Sequence, residues 1–253
     1  MIFDTHAHYD DEDFREDQDR LLTSFAANGI EKVVNVSASI ESVDRSLELT
    51  EKYPYIYASV GVHPNETAPL NEEHIVRFRE ICKHEKVVAI GEIGLDYYWD
   101  EPDHETQKKW FIRQIELARE VNLPLIIHSR DAAKDTMDIM KEHASDLGGV
   151  IHCFSYSAEM AKEYVEMGYY IGIGGVVTFK NAKKLKEVVE AIPLERIVLE
   201  TDSPYLTPEP YRGKRNCSLY LPYVADAIAS LKGITVNEVE RVTYQNALDL
   251  YRL

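Results

Sequence analysis

Eight short runs of β-branched and aliphatic residues, separated by stretches with helical spacing, constrain this 253-residue chain more than any other feature. The runs are read at Ile2 to Thr5, Lys32 to Val36, Ile56 to Val62, Val87 to Ile90, Leu125 to Ile127, Val150 to Ile151, Tyr170 to Ile173 and Ile197 to Leu199. Such alternation marks repeated βα units around a parallel sheet. Between the runs, Phe111, Ile115 and Ala118 fall on one face of a helix spanning about His104 to Val121. Gly29 and Gly168 are placed to stop helices, and Thr235 with Glu238 has the form of a capping box opening the last one. An open doubly wound sheet wants a Gly-rich phosphate loop after its first strand, whereas here THAHYDD follows. The expected fold is therefore α/β, a single (β/α)₈ TIM barrel in one domain, residues 1–253. Gly172, Gly174 and Gly175 read as a flexible corner after the seventh strand.

In such a barrel the C-terminal ends of the strands face the active-site mouth. Here the runs end in His6 and His8, His63, Glu92, His128, His152, and Glu200 with Asp202. Side chains at i and i+2 of a strand share a face, so His6 and His8 can grip one ion. Taken alone, an H-x-H pair or a single histidine after a strand is more often a hydrogen-bonded residue than a ligand. Jointly, this many ionisable groups at one end of one barrel need partners, and a shared cation is the simplest. Closure puts Asp202 beside His6 and His8, with Glu92, His128 and His152 on neighbouring strands. Two half-sites result, with Glu92 as the bridge between two divalent ions. Imidazole and carboxylate ligands without sulfur suit Zn²⁺, Mn²⁺ or Mg²⁺ alike. Hydrolysis is the implied reaction, with Asp202 serving as both ligand and proton acceptor.

The balance of 44 acidic against 28 basic residues gives a formal net charge of -16. That opposes bulk adhesion to anionic membranes or long duplexes, so any nucleic-acid contact must be local. Cys82, Cys153 and Cys217 are widely spaced and odd in number, which indicates neither a disulfide framework nor a thiolate zinc site. The opening MIFDTHAHYD has no basic start and no apolar signal core, so a cytoplasmic location is expected. No obligate protein partner is evident.

The blocks DTHAH, GEIGLDYY, HSRDA, HCFS and ETDSPYLTP, in this order, resemble the TatD family of metal-dependent deoxyribonucleases over nearly the whole chain. The resemblance implies a divalent metal pair held by His6, His8, Glu92, His128, His152 and Asp202. It also implies hydrolysis of DNA phosphodiesters, chiefly from single-stranded or 3′ ends, with His63 touching the substrate phosphate; the bland reading of His63 is a structural hydrogen bond. Arg130 reads either as a phosphate ligand or as an ion-pair partner of Asp131 or another acid at the mouth. Glu200 either supports a ligand from behind or is a buried partner. The stretch Tyr211 to Asn216 resembles the family's R-G-K-R-N run, so Arg212, Lys214 and Arg215 are candidates for the DNA backbone as well as for a solvated basic loop. Cys217 and Ser218 stand where Glu-Pro usually follows, which opens the question of that loop's shape.

Tyr97, Tyr98 and Trp99 read first as packing against the barrel rim, with base stacking as the functional option. His74, His84, His104 and His143 read as solvated surface, and the acidic run Asp10 to Asp13 as complementing the first helix dipole. Two other functions fit the same site. A small ester, lactone or amide meets the same chemistry as a phosphodiester, and an inactive barrel acting as a scaffold would need no full ligand set.

Overall fold

A computed structural model describes all 253 residues. Eight strands form one parallel sheet in the order of the chain: β1 Ile2–Ala7, β2 Ile30–Asn35, β3 Ile56–Val60, β4 Val87–Asp96, β5 Leu125–Arg130, β6 Gly149–Ile151, β7 Tyr170–Ile173 and β8 Ile197–Leu199. A parallel bridge between Ala7 and Ser203 joins the last strand's exit to the first strand, giving the (β/α)₈ barrel. The helices are α1 Gln18–Thr23, α2 Ile40–Lys52, α3 Glu72–Ile81, α4 His104–Val121, α5 Ala133–His143, α6 Ala158–Glu166, α7 Lys183–Ala191, α8 Leu221–Lys232 and α9 Val236–Tyr251. No helix is long and apolar enough to cross a membrane.

Local chemistry sets the boundaries. Gly29 takes φ 78° at the end of a short helical turn, where a side chain would be strained. Thr235 accepts the Glu238 N–H, one half of the capping box, and starts α9. Phe111, Ile115 and Ala118 are all buried on the inner face of α4. Most apolar burial lies in a cluster of 54 residues. A second cluster gathers Phe3, Val34, Val88, Ile126, Val150 and Val198 from six strands with Leu250 and Tyr251 of α9. Residues from so many strands around a barrel meet only in its interior, so this layer packs the barrel and supports the polar layer above it.

Three expectations change. The third strand stops at Val60 rather than Val62, because the Gln114 side chain takes both the N–H of Val62 (2.8 Å) and its carbonyl (3.2 Å). His63 therefore stands beyond the strand, capping a 3-10 turn. The fourth strand does not end at Glu92 but runs on, wholly buried, to Asp96. The glycines at the end of β7 are not a flexible corner. A Cβ on Gly172 would overlap Glu200 Oε2, and one on Gly175 would overlap the Leu206 carbonyl, so they admit close packing.

Candidate active site

The strand ends bring one carboxylate among five imidazoles. Glu92 is 3% exposed, and its two oxygens face different partners. Oε2 lies 3.5 Å from His6 Nε2 and 3.7 Å from His8 Nε2. Oε1 lies 2.7 Å from His128 Nδ1, 3.2 Å from His152 Nε2 and 3.9 Å from His63 Nε2. Asp202 Oδ1 stands 3.7 Å from His6 Nε2 and 3.5 Å from His8 Nε2. The rings of His6 and His152 stack across the barrel at 3.7 Å, so His152 neighbours both halves rather than one.

Hydrogen bonds behind these groups fix which atom each presents. His8 Nδ1 donates to the Val36 carbonyl at 2.8 Å, which leaves its Nε2 facing inward. That atom meets His6 Nε2 at 3.1 Å, an unfavourable approach of two lone pairs unless a proton or cation lies between them. Asp96 Oδ2 takes the Nε2 side of His128 at 3.1 Å and turns its Nδ1 toward Glu92. Glu200 Oε1 accepts the Cys153 N–H at 2.6 Å and lies 3.5 Å from His152 Nδ1, behind the ring. His63 Nδ1 accepts the Asn65 N–H, so its Nε2 carries the hydrogen into the site.

This donor set fits a divalent cation. Tetrahedral coordination at ~2.0–2.1 Å separates ligand atoms by ~3.3 Å, close to the 3.1–3.7 Å seen among His6, His8, Glu92 and Asp202. Three such groupings have ligand atoms within 4.8 Å of one another: His6, His152 and Asp202; His6, His8 and Glu92; His63, Glu92 and His128. The His6 Nδ1 and Glu200 Oε2 atoms are buried without hydrogen-bond partners, and a charged centre offsets such costs better than an apolar one.

Electrostatics follow from the crowding. Burial pushes the Glu92 carboxyl up, but the charges of His152 and His6 and bonds from His128 and His152 outweigh it and hold the group well below the carboxylate range. Burial also lowers His8, yet the Asp202 bond and the charges of Glu92, Asp202 and Asp10 raise it to about 9. Burial, helped by the charge of His128, takes His63 down to about 3, so it is neutral. Protons and a cation thus compete for the same atoms. Because His8 is raised from 6.5 to about 9, its contribution to the metal-free protein is full below pH 6.5 and lost as pH climbs through about 9. Thermal melts of chelator-treated protein should therefore drop across that window, while metal-loaded protein should not, and metal uptake at neutral pH should release protons measurable by calorimetry in buffers of different ionisation heat.

The basic residues divide. Arg130 lines the same cavity as Glu92 and Asp202. It makes no ion pair with Asp131; its guanidinium lies 3.7 Å from the centre of the Tyr98 ring. Arg212, Lys214 and Arg215 do not line that cavity. Arg215 binds Asp17 through two 2.8 Å contacts and the Asp13 carbonyl at 2.5 Å, while Arg212 covers Phe179 and Lys214 lies over Tyr211. The loop's shape is set by Asn216, which donates to the carbonyls of Thr201 and Tyr205, and by buried Ser218, which donates to Asp4 at 2.6 Å. Tyr97 packs, stacked on His104, whereas Tyr98 and Trp99 are exposed rather than packed on the rim. Asp11 caps a 3-10 turn, not an α-helix.

Two acids were missed in the sequence. Asp96 is spaced i+4 from Glu92 on one strand, so period-two alternation alone points both to one face. Asp4, fully buried and pushed up to about 7 by that burial, accepts from Thr201 N, Thr201 Oγ1, Ser218 and His6 N, and so clamps the β8 exit to β1. The loops at the mouth also hold four non-glycine residues at positive φ, Asp131 (55°), Cys153 (46°), Asp202 (55°) and Leu206 (55°); such strain clusters at functional sites.

The sequence profile of the family described as TatD related DNase matches residues 3–252. The chain belongs to this TatD-related family. Among the family's relatives, the uncharacterized metal-dependent hydrolase YabD of Bacillus subtilis (strain 168) is 47% identical over all of both chains. YcfH of Escherichia coli (strain K12), also named a metal-dependent hydrolase, is 37% identical and is matched over 96% of its length by the whole of this chain. The crystal structure of YjjV, a TatD homologue from Escherichia coli K12, superposes with a TM-score of 0.93 at 32% identity, covering 100% of this chain and 98% of the other. The TatD-related chain described here is accordingly a metal-dependent hydrolase of the (β/α)₈ class.

Proposed function

We propose that this hydrolase is a deoxyribonuclease that trims DNA phosphodiesters from 3′ ends, with two divalent ions, Mg²⁺, Mn²⁺ or Zn²⁺, held by His6, His8, Glu92, His128, His152 and Asp202. The observation that carries the two-ion reading is Glu92, whose Oε2 faces His6 and His8 while its Oε1 faces His128 and His152. When bound, a pair of ions supplies Lewis acidity and a water acidic enough to attack at neutral pH. The chain's own groups do the rest. Asp202, about one-fifth exposed at its side chain, faces the cavity and accepts the proton of the attacking water. His63, neutral and with its Nε2–H turned inward, donates to a phosphate oxygen. Asp96 holds the His128 ring and Glu200 backs His152, so both keep their orientation as charge moves.

The test is release of nucleotides from end-labelled single-stranded DNA by chelator-stripped protein, with each ion added back. Trimming from the 3′ end should return with at least one ion, and His128→Ala should lack it. The acidic mouth, with Asp10, Asp11, Glu41 and Glu66 around the cavity, favours the second reading, a small ester, lactone or amide. Protein that rebinds metal yet cleaves no DNA with any ion would decide for that reading.

A further inference from the structure

The cavity above Glu92 has a volume of about 970 Å³ and only two cationic side chains other than histidine in its lining, Arg45 and Arg130. Arg45 is paired with Asp10 at 3.3 Å. Arg130 is the one arginine there whose charge meets no carboxylate; it lies over Tyr98, whose ring in turn meets Trp99 edge-on at 4.9 Å. Trp99 is 55% exposed and Tyr205 54%, and both line the cavity. Trp99 follows β4 and Tyr205 follows β8, which lie on opposite sides of an eight-stranded barrel whose order is that of the chain. Two large exposed aromatic side chains therefore flank Glu92 and Asp202 from opposite directions, with one free cation, Arg130, on the Trp99 side and the acids Asp10, Asp11, Glu41 and Glu66 also in the lining.

Nothing in this lining tracks a polyanionic backbone, and the basic run Arg212 to Arg215 is engaged elsewhere. Beyond the one phosphate that the site engages, recognition must come from base faces, because stacking is indifferent to net charge and to sequence. We propose that the site binds a single-stranded dinucleotide step, its two bases stacked on Trp99 and on Tyr205 and a phosphate oxygen held by Arg130, so that dinucleotides and short oligonucleotides are complete substrates. This rests on the deoxyribonuclease reading and narrows it to a substrate class. Longer strands are then cut only at a free end, since the acidic rim repels chain beyond the step.

The measurement is steady-state kinetics of the metal-loaded full chain on thymidine oligonucleotides, from the dinucleoside monophosphate to about twenty nucleotides, over a range of salt. KM should change less than about threefold with length, and log KM should rise with log salt at a slope near ~0.7, the value for a single phosphate contact on a single strand. Trp99→Ala should raise KM about tenfold with little change in kcat, and Trp99→Phe should restore most of the loss. Binding of a dinucleotide bridged by an uncleavable methylenephosphonate should quench the exposed Trp99 and spare the buried Trp110, a readout independent of turnover. Cleavage of long strands with no activity on the dinucleotide, or a salt slope of several units, would overturn the proposal and leave the deoxyribonuclease reading intact. No cleavage of any length would remove both.

Discussion

Glu92→Ala should lower metal-dependent hydrolysis by on the order of 10³-fold or more, because losing a group that only orients a ligand already costs ~10–100-fold, and Glu92 faces four other candidate ligands directly. Glu92→Gln separates shape from charge: it keeps the volume but offers one neutral oxygen, and should recover little of the rate. The same variants carry a stability signature. Removing one partner from a buried set of charges costs ~3–5 kcal/mol, and in metal-free protein the histidines held up by Glu92, His8 and His152 among them, would lose that support. The deficit should be largest near neutral pH and shrink above pH 9, where His8 is neutral. Kinetics, metal titration and melts against pH check these together; wild-type rate in Glu92→Ala would remove this carboxylate from the mechanism.

Gly94→Ala should be the most disruptive small substitution in the chain. Gly94 pairs with His128 across β4 and β5 and has φ 147°, a conformation side chains rarely adopt. A Cβ there would overlap the His128 carbonyl oxygen, which belongs to backbone and has nowhere to turn. A loss above ~4 kcal/mol is expected, since overpacking and an incompatible φ act together. Chemical denaturation measures it, and metal affinity should fall as well because His128 rides on the displaced strand. Gly29→Ala is the comparison: its Cβ meets nothing within 4 Å, so only the φ of 78° opposes it.

Strands were legible in the sequence wherever branched aliphatic residues ran unbroken, as at Val33 and Val34 or at Leu125, Ile126 and Ile127. The second half of β4 was hidden, because Gly91, Glu92 and Gly94 break the apolar pattern, and only the barrel interior makes a buried Glu tolerable in a strand. The ionisable groups at the mouth were visible because strand ends in this fold all point one way. What each group leans on was not. Asp17, which engages Arg215, lies 198 residues away in the chain, and no local pattern announces such a pair. The same holds for Ser218 and Asp4, whose bond explains how the loop after β8 holds its course without Glu-Pro.

The clamp of Asp4 on Thr201 spans 197 residues, so the first strand waits for nearly the whole chain before its hydrogen bonds can be completed. His6 and Asp202 meet through that same closure. During synthesis, residues near the amino terminus emerge long before their partners, and contacts of such sequence separation form late. A nascent chain therefore holds an incomplete ligand set until the eighth strand is out. The complete ligand set is in this way tied to synthesis through the exit of the eighth strand: products truncated before Thr201, such as the cell makes when synthesis fails, lack one end of the clamp and with it one side of the site.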